Sequence, residues 1–86
     1  MKIPTIHLNG TSADRLLDDI NNAYAKIGEA ISALAQTAPN GRDYYPQGNG
    51  ALEQAQNEHH ARISKLVAIK AEVEQIVEGI DAQEVR

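Results

Sequence analysis

Residues 52–80 read LEQAQNEHHARISKLVAIKAEVEQIVEGI, and the spacing of the apolar residues in this stretch decides the fold. Five positions fall seven residues apart: Leu52, His59, Leu66, Val73 and Ile80. The interleaved positions of the same heptad pattern are held by Ala55, Ile63, Ile69 and Ile76. A repeat of this kind forms the seam of a helix that packs nearly parallel to a neighbouring helix. The pattern predicts a long helix over residues 51–80.

A second seam precedes this helix in the chain. Apolar residues recur there at alternating spacings of three and four, at Leu17, Ile20, Tyr24, Ile27, Ile31, Leu34 and Ala38. Thr11 or Ser12 can cap the helix, Asp14 lies near its positive end, and Pro39 stops it. We therefore expect a helix over 11–38, a loop over 39–50 and a tail over 81–86. The predicted fold class is all-α, a hairpin of two long antiparallel helices.

The apolar stripes are wider than one hairpin can cover. The chain has 86 residues and no cysteine, so it forms one domain (1–86) whose core is small and cannot be reinforced by disulfides. The stripe is widened by Leu16, Ala23, Ala30, Ala35, Val67 and Val77. We expect copies of the chain to associate into a bundle of at least four helices, as a homo-oligomer that is a dimer or larger.

Residues 1–10 carry a weak alternation that is too short to form a sheet alone. Pro4 restricts this segment to a strand edge or a strand start. No other segment has the pattern of a strand. The segment is either a strand that pairs with the same segment of another copy, or an extended arm that lies on the helices.

Charge and hydropathy exclude several classes of function. Eight Lys and Arg residues against twelve Asp and Glu residues give a net charge of −4. General nucleic-acid binding is not expected, because it needs a basic face. A run of about 18 apolar residues is also missing, so we expect neither a membrane span nor export through a signal peptide.

Catalytic and metal-binding constellations are missing from the sequence. His59 and His60 are adjacent, so on a helix they point about 100° apart and do not converge on one ion. We interpret His59 as a hydrogen-bonded polar residue of the seam, and we predict no metal site. A phosphate-binding glycine loop and a serine elbow are absent too. We expect a protein without a cofactor that is not an enzyme.

The loop RDYYPQG, residues 42–48, holds two of the three aromatic residues of the chain. Tyr45 precedes Pro46, a position that favours extended backbone, so we expect both tyrosine rings to lie in an extended segment. Arg42 offers a planar fork of donors, and the rings offer stacking faces with hydroxyls. The loop either binds an anionic, ring-containing ligand or folds back to plug the end of the bundle, with Arg42 paired to Asp43 or to a helix-end carbonyl.

The segments HLNGT (7–11), RDYYPQG (42–48) and EHHAR (58–62) resemble those of small, mostly uncharacterised proteins encoded by bacteriophages and prophages. The likeness spans nearly the whole chain. In architecture the chain also resembles phage sponges that sequester the nucleotide signals of bacterial immunity, as the anti-CBASS and anti-Thoeris proteins do. The resemblance implies that the protein is located in the cytoplasm of a bacterial host cell and that it binds a ligand without catalysing a reaction.

Two functional hypotheses follow. In the first, the protein is a non-enzymatic oligomer that sequesters a small anionic nucleotide-like ligand. In an antiparallel pairing, the loop of one copy would then meet the HLNG segment of another. The candidate ligand-binding residues are Arg42, Asp43, Tyr44, Tyr45, Gln47, His7, Asn9 and Thr11. In the second, the protein is an interaction or assembly protein whose tyrosine loop docks a protein partner. Arg42 would face a concave pocket under the first hypothesis and project from a convex tip under the second.

Overall fold

The computed structural model describes residues 1–84, and these form an N-terminal arm followed by helices joined by short turns, with no strand among them. Helix α1 spans Ala13–Ala35, the short helix α2 spans Gly41–Tyr44, and helix α3 spans Ala51–Glu84. A single 3₁₀ turn at Tyr45–Gln47 follows α2. The predicted all-α hairpin is confirmed in its two long helices.

Several predicted boundaries were wrong. Helix 1 was expected over 11–38, but it begins at Ala13 because the Ser12 side chain accepts a hydrogen bond from the Arg15 N–H, at 3.2 Å. It ends at Ala35, since residues 36–38 bond to carbonyls three positions back. The second helix was expected over 51–80, and it continues to Glu84. Of the predicted tail 81–86, residues 81–84 are therefore helical, and 85–86 lie outside the described residues.

Helices α1 and α3 run antiparallel and pack along most of α1. The register is visible where the Lys70 ammonium lies 4.7 Å from the centroid of the Tyr24 ring, a cation–π contact. The same register places His59 opposite the C-terminal end of α1. His59 is buried, as expected for a seam residue, but its imidazole makes no hydrogen bond to another described residue. The predicted hydrogen bond inside an assembled bundle stays a prediction.

The hairpin is a rod with very little interior. It measures 62 × 20 × 19 Å with a radius of gyration of 19.0 Å, whereas a compact chain of this length has a radius near 12 Å. Among the described residues only Ala13, His59 and Ile80 are buried, and the remaining seam residues are half-buried or exposed. Val67 and Ile69 are exposed at the middle of α3. Two helices thus leave much of their apolar surface in contact with water.

Residues 1–10 form an arm that lies on the C-terminal end of α3. The Gln83 side chain accepts a hydrogen bond from the Ile6 N–H at 2.9 Å and donates one to the Pro4 carbonyl at 2.7 Å. Ile3 packs so closely on α3 that a Cβ added at Gly79 would lie 2.8 Å from its Cγ2 atom. Of the two expectations for this segment, the arm on the helices is therefore the one observed in the described chain. The Gln83 amide supplies the partner that a second strand would have supplied.

None of the described helices contains a segment long and apolar enough to cross a membrane.

Candidate functional site

The predicted loop 39–50 is a folded tip at one end of the rod. Asn40 caps α2: its side-chain oxygen accepts a hydrogen bond from the Asp43 N–H at 3.2 Å, and its amide donates to the Asp43 carboxylate at 3.0 Å. The Asp43 carboxylate is therefore held in the cap. The predicted pairing of Arg42 with Asp43 is absent, and Arg42 forms no ion pair with a described residue.

The backbone at the tyrosines is helical and not extended, so that prediction was wrong. Tyr45 has φ −58° and ψ −31°, although it precedes Pro46. Proline is tolerated here because it occupies the first turn of the 3₁₀ segment, where its missing N–H is not needed. Gly48 and Gly50 then take positive φ values of 97° and 85°, which lead the chain into α3.

This backbone separates the two tyrosine side chains. Tyr44 is half-buried against the hairpin, whereas Tyr45 is 78% exposed. The plug hypothesis thus fits Tyr44 and does not fit Tyr45. Beside the rings lies an open groove of about 280 Å³. Its lining consists of Gly41, Tyr44, Tyr45, Gly48, Asn49, Gly50 and Leu52.

Arg42 and Gln47 do not line the groove, although both are exposed at the tip. Of the predicted loop residues, only Tyr44 and Tyr45 share a concave surface. Leu52 was assigned to the helix seam from its heptad position, and it also forms part of this groove. A heptad position does not show that the first turn of a helix is left uncovered by the partner helix, so the sequence carried no signal for this second role.

The HLNG segment forms a tight turn at the other end of the rod. The Gly10 N–H donates to the His7 carbonyl at 3.1 Å, and the His7 ring lies against Gly10, where a Cβ would be 2.7 Å from Nε2. Leu8 is 98% exposed on this turn. Asn9 and Thr11 line a wide, open hollow of about 650 Å³ at the start of α1.

The chain does not bring the two groups of candidate residues together. His7, Asn9 and Thr11 precede α1, whereas Arg42, Tyr44 and Tyr45 follow it. Helix α1 has 23 residues, which at about 1.5 Å per residue separate the two ends by roughly 35 Å. A composite site that uses both groups requires a second copy of the chain.

One further hollow lies on the side of the rod. It has a volume of about 220 Å³ and is lined by Asn21, Tyr24, Glu74, Val77 and Glu78. Glu74 and Glu78 are exposed to solvent on the face of α3 that borders this hollow. The hollow lies along the line where α1 and α3 pack together, and two solvated carboxylates border it. Such an arrangement is typical of the polar flank of a helix pair.

The described part of the chain contains no cluster of three or more His, Cys, Asp or Glu side chains that could hold a metal ion. The rings of His59 and His60 lie 6.2 Å apart and are tilted by 48°. Because His59 is buried and His60 is exposed, the two imidazoles face different surroundings.

Comparisons with protein-family models, with curated proteins and with solved structures gave no significant match for this chain.

Proposed function

We propose that this chain is a non-enzymatic, self-associating helical hairpin that docks a protein partner through its tyrosine tip. The observation that carries the proposal is the position of Arg42 and Tyr45. Both side chains are exposed at the tip, and Arg42 lies outside the groove. Tyrosine and arginine, together with tryptophan, are enriched among the residues that anchor protein interfaces. The resemblance to phage proteins suggests that the partner is a protein of the bacterial host or of the phage particle.

Self-association is supported by the surface of the rod. The chain exposes 6473 Å², whereas a compact monomer of its mass of 9.3 kDa exposes about 5,000 Å². The excess is roughly 1,500 Å², and each partner of a stable complex covers about 800 Å². One neighbouring copy is therefore enough to remove much of the excess.

A photo-crosslinking experiment tests the docking of a partner. A photoreactive phenylalanine is placed at Tyr45, and in a matched variant at Ser32, which is exposed on the side of α1. We expect a discrete adduct with another protein after irradiation in bacterial cells for the Tyr45 variant only. The additional substitution Arg42→Ala should weaken that adduct. Adducts formed equally at both positions, or with the chain itself only, would contradict the proposal.

A second candidate function is sequestration of a nucleotide-like ligand. It is favoured by the groove of about 280 Å³ beside the two tyrosine rings, since an aromatic face in a concave surface can stack on a base. Donors for a phosphate would come from Arg42 or from the HLNG segment of a second copy. Cyclic dinucleotides and isomers of cyclic ADP-ribose are the probes. A thermal shift that is lost in Tyr44→Ala supports this function, and the absence of both thermal shift and calorimetric heat contradicts it.

A further inference from the structure

The two ends of the rod carry surfaces that complement each other. At one end the Leu8 side chain is 98% exposed on a tight turn, so it can enter an apolar surface of another copy. At the other end the groove beside Tyr44, Tyr45 and Leu52 is open, and no side chain among residues 1–84 fills it. A volume of about 280 Å³ accommodates a leucine side chain together with part of its backbone.

We propose that two copies of the chain pair antiparallel along α3, so that Leu8 of each copy fills the groove beside Tyr44 and Tyr45 of the other. This inference rests on the self-association in the proposed function and specifies its geometry. The occupant of the groove is then a second copy of this chain. Arg42 and the outer face of Tyr45 stay available to a protein partner.

The geometry of α3 supports the match of the ends. Helix α3 spans Ala51–Glu84, so its midpoint falls between Val67 and Ala68. A two-fold axis at that point superposes each end of α3 on the opposite end of its partner. Leu8 lies just beyond the C-terminal end of α3, because Gln83 holds the arm at Ile6. The same axis places it level with Gly48 and Gly50 at the start of the other α3.

The middle of α3 offers a surface on which this pairing can occur. Val67 is 50% exposed there, and the outward residues Ser64, Ala68 and Ala71 are small, uncharged and exposed, so a second helix can approach closely. The pairing removes Val67 from water in both copies at once, as expected for a surface that meets itself across a two-fold axis.

Charge complementarity favours the antiparallel direction. Lys65 and Glu72 are seven residues apart, so they project from the same side of α3, and they lie on either side of its midpoint. Neither forms an ion pair with a described residue of its own chain. In an antiparallel pair about this axis, Lys65 lies level with position 70 of the other copy, and the Glu72 of that copy is two residues, or about 3 Å, further along the helix. In a parallel pair Lys65 is level with the Lys65 of the other copy, and the Glu72 of that copy is seven residues, or about 10 Å, away.

Disulfide trapping tests the arrangement, because the chain contains no cysteine of its own. We would mix ¹⁵N-labelled Leu8→Cys with unlabelled Asn49→Cys, which lies in the groove lining, under mild oxidation. Mass spectrometry should show mainly the mixed disulfide between labelled and unlabelled chains. The matched control replaces Asn49→Cys by Ser32→Cys, an exposed position on the side of α1, and should give little mixed product.

A second variant measures the contribution of the leucine. Leu8→Asp should weaken self-association at least about tenfold, because it places a charge in an apolar groove. Thr5→Asp adds the same charge on the same exposed arm and should leave the dissociation constant within about twofold. Sedimentation velocity measures both, and circular dichroism shows whether helix content is retained.

The outcomes separate this inference from the proposed function. Dimers that give only Leu8→Cys homodisulfides and Asn49→Cys homodisulfides are parallel and overturn the inference, while self-association stands. If Leu8→Asp and Thr5→Asp change the dissociation constant of self-association equally, the role of Leu8 in the groove is overturned. A folded chain that stays monomeric at all concentrations overturns self-association and this inference together.

Discussion

The contact between Ile3 and Gly79 tests whether the arm packs on α3. Because of this contact, replacing the glycine by alanine should not give the usual increase in the free energy of unfolding. Gly79 lies inside α3, and a Cβ built there would lie 2.8–2.9 Å from three side-chain carbons of Ile3. Replacing a glycine by alanine within a helix ordinarily stabilises it by about 1 kcal/mol. Overpacking of a well-fitted contact costs about 1–3 kcal/mol. Gly79→Ala should therefore range from neutral to about 2 kcal/mol destabilising.

The same substitution should act in the opposite direction once Ile3 is shortened. In an Ile3→Ala background the added methyl group meets open space, so Gly79→Ala should stabilise by about 1 kcal/mol. The coupling energy of the double-mutant cycle is then about 1–3 kcal/mol. Gly28→Ala is the matched control in α1, because its added Cβ meets only the flexible end of Lys70 at 3.5 Å. That variant should be stabilised by about 1 kcal/mol.

The assay is urea unfolding followed by far-ultraviolet circular dichroism, with all variants at one protein concentration, because self-association adds to the apparent stability. If Gly79→Ala stabilises the chain as much as Gly28→Ala does, and Ile3→Ala makes no difference to its effect, the arm does not pack on α3 and the reasoning is refuted.

Three other predictions concern single contacts. Gln83→Ala removes the acceptor for the Ile6 N–H and the donor to the Pro4 carbonyl, so amide hydrogen exchange at Ile6 should speed up while the centre of α3 is unchanged; equal rates in both proteins would contradict the Gln83 contact. Ser12→Ala removes the cap of α1 and should cost about 1 kcal/mol in urea unfolding, against no loss for Thr11→Ala. His59→Leu should raise the unfolding midpoint, since the buried imidazole makes no hydrogen bond in the described chain and its replacement adds about 1 kcal/mol of apolar burial; a lower midpoint would indicate a polar partner for His59 in the assembly.

The helices were predictable because their signal is repeated many times. Leu52, His59 and Leu66 each support the same period, so one wrong residue does not change the result. The ends of the helices depend on single interactions and were predicted less well. The choice between Thr11 and Ser12 as the cap was left open by the sequence, and it is decided by one hydrogen bond to the Arg15 N–H.

The position of the tip between the two long helices was predicted correctly, but its backbone conformation was not. The rule for residues before proline favours extended backbone at Tyr45, but the cap formed by Asn40 and Asp43 starts a helical turn that carries Tyr45 with it. The outcome separates Tyr44 from Tyr45 and removes Arg42 from the groove. Such a cap is worth about 1 kcal/mol, which is enough to offset a local backbone preference.

The contacts of the arm could not be predicted from local sequence patterns. Pro4 and Ile6 contact Gln83, which is nearly eighty positions away in the chain. No sequence pattern identifies a single glutamine near the end of a helix as a hydrogen-bond partner. The alternation at residues 3–8 predicts that the backbone of this segment needs a partner, but it does not predict which residue supplies it. The partner became visible only when the fold brought the two ends of the chain together.

Small-angle X-ray scattering on the unmodified protein tests the central claim most directly, because it gives mass and length in one measurement. A side-by-side antiparallel pair has twice the chain mass of 9.3 kDa and a longest dimension that stays close to the 62 Å of one rod. A folded particle with the mass of one chain and a radius of gyration near 19.0 Å would contradict self-association. A particle of doubled mass and roughly doubled length would contradict the pairing along α3.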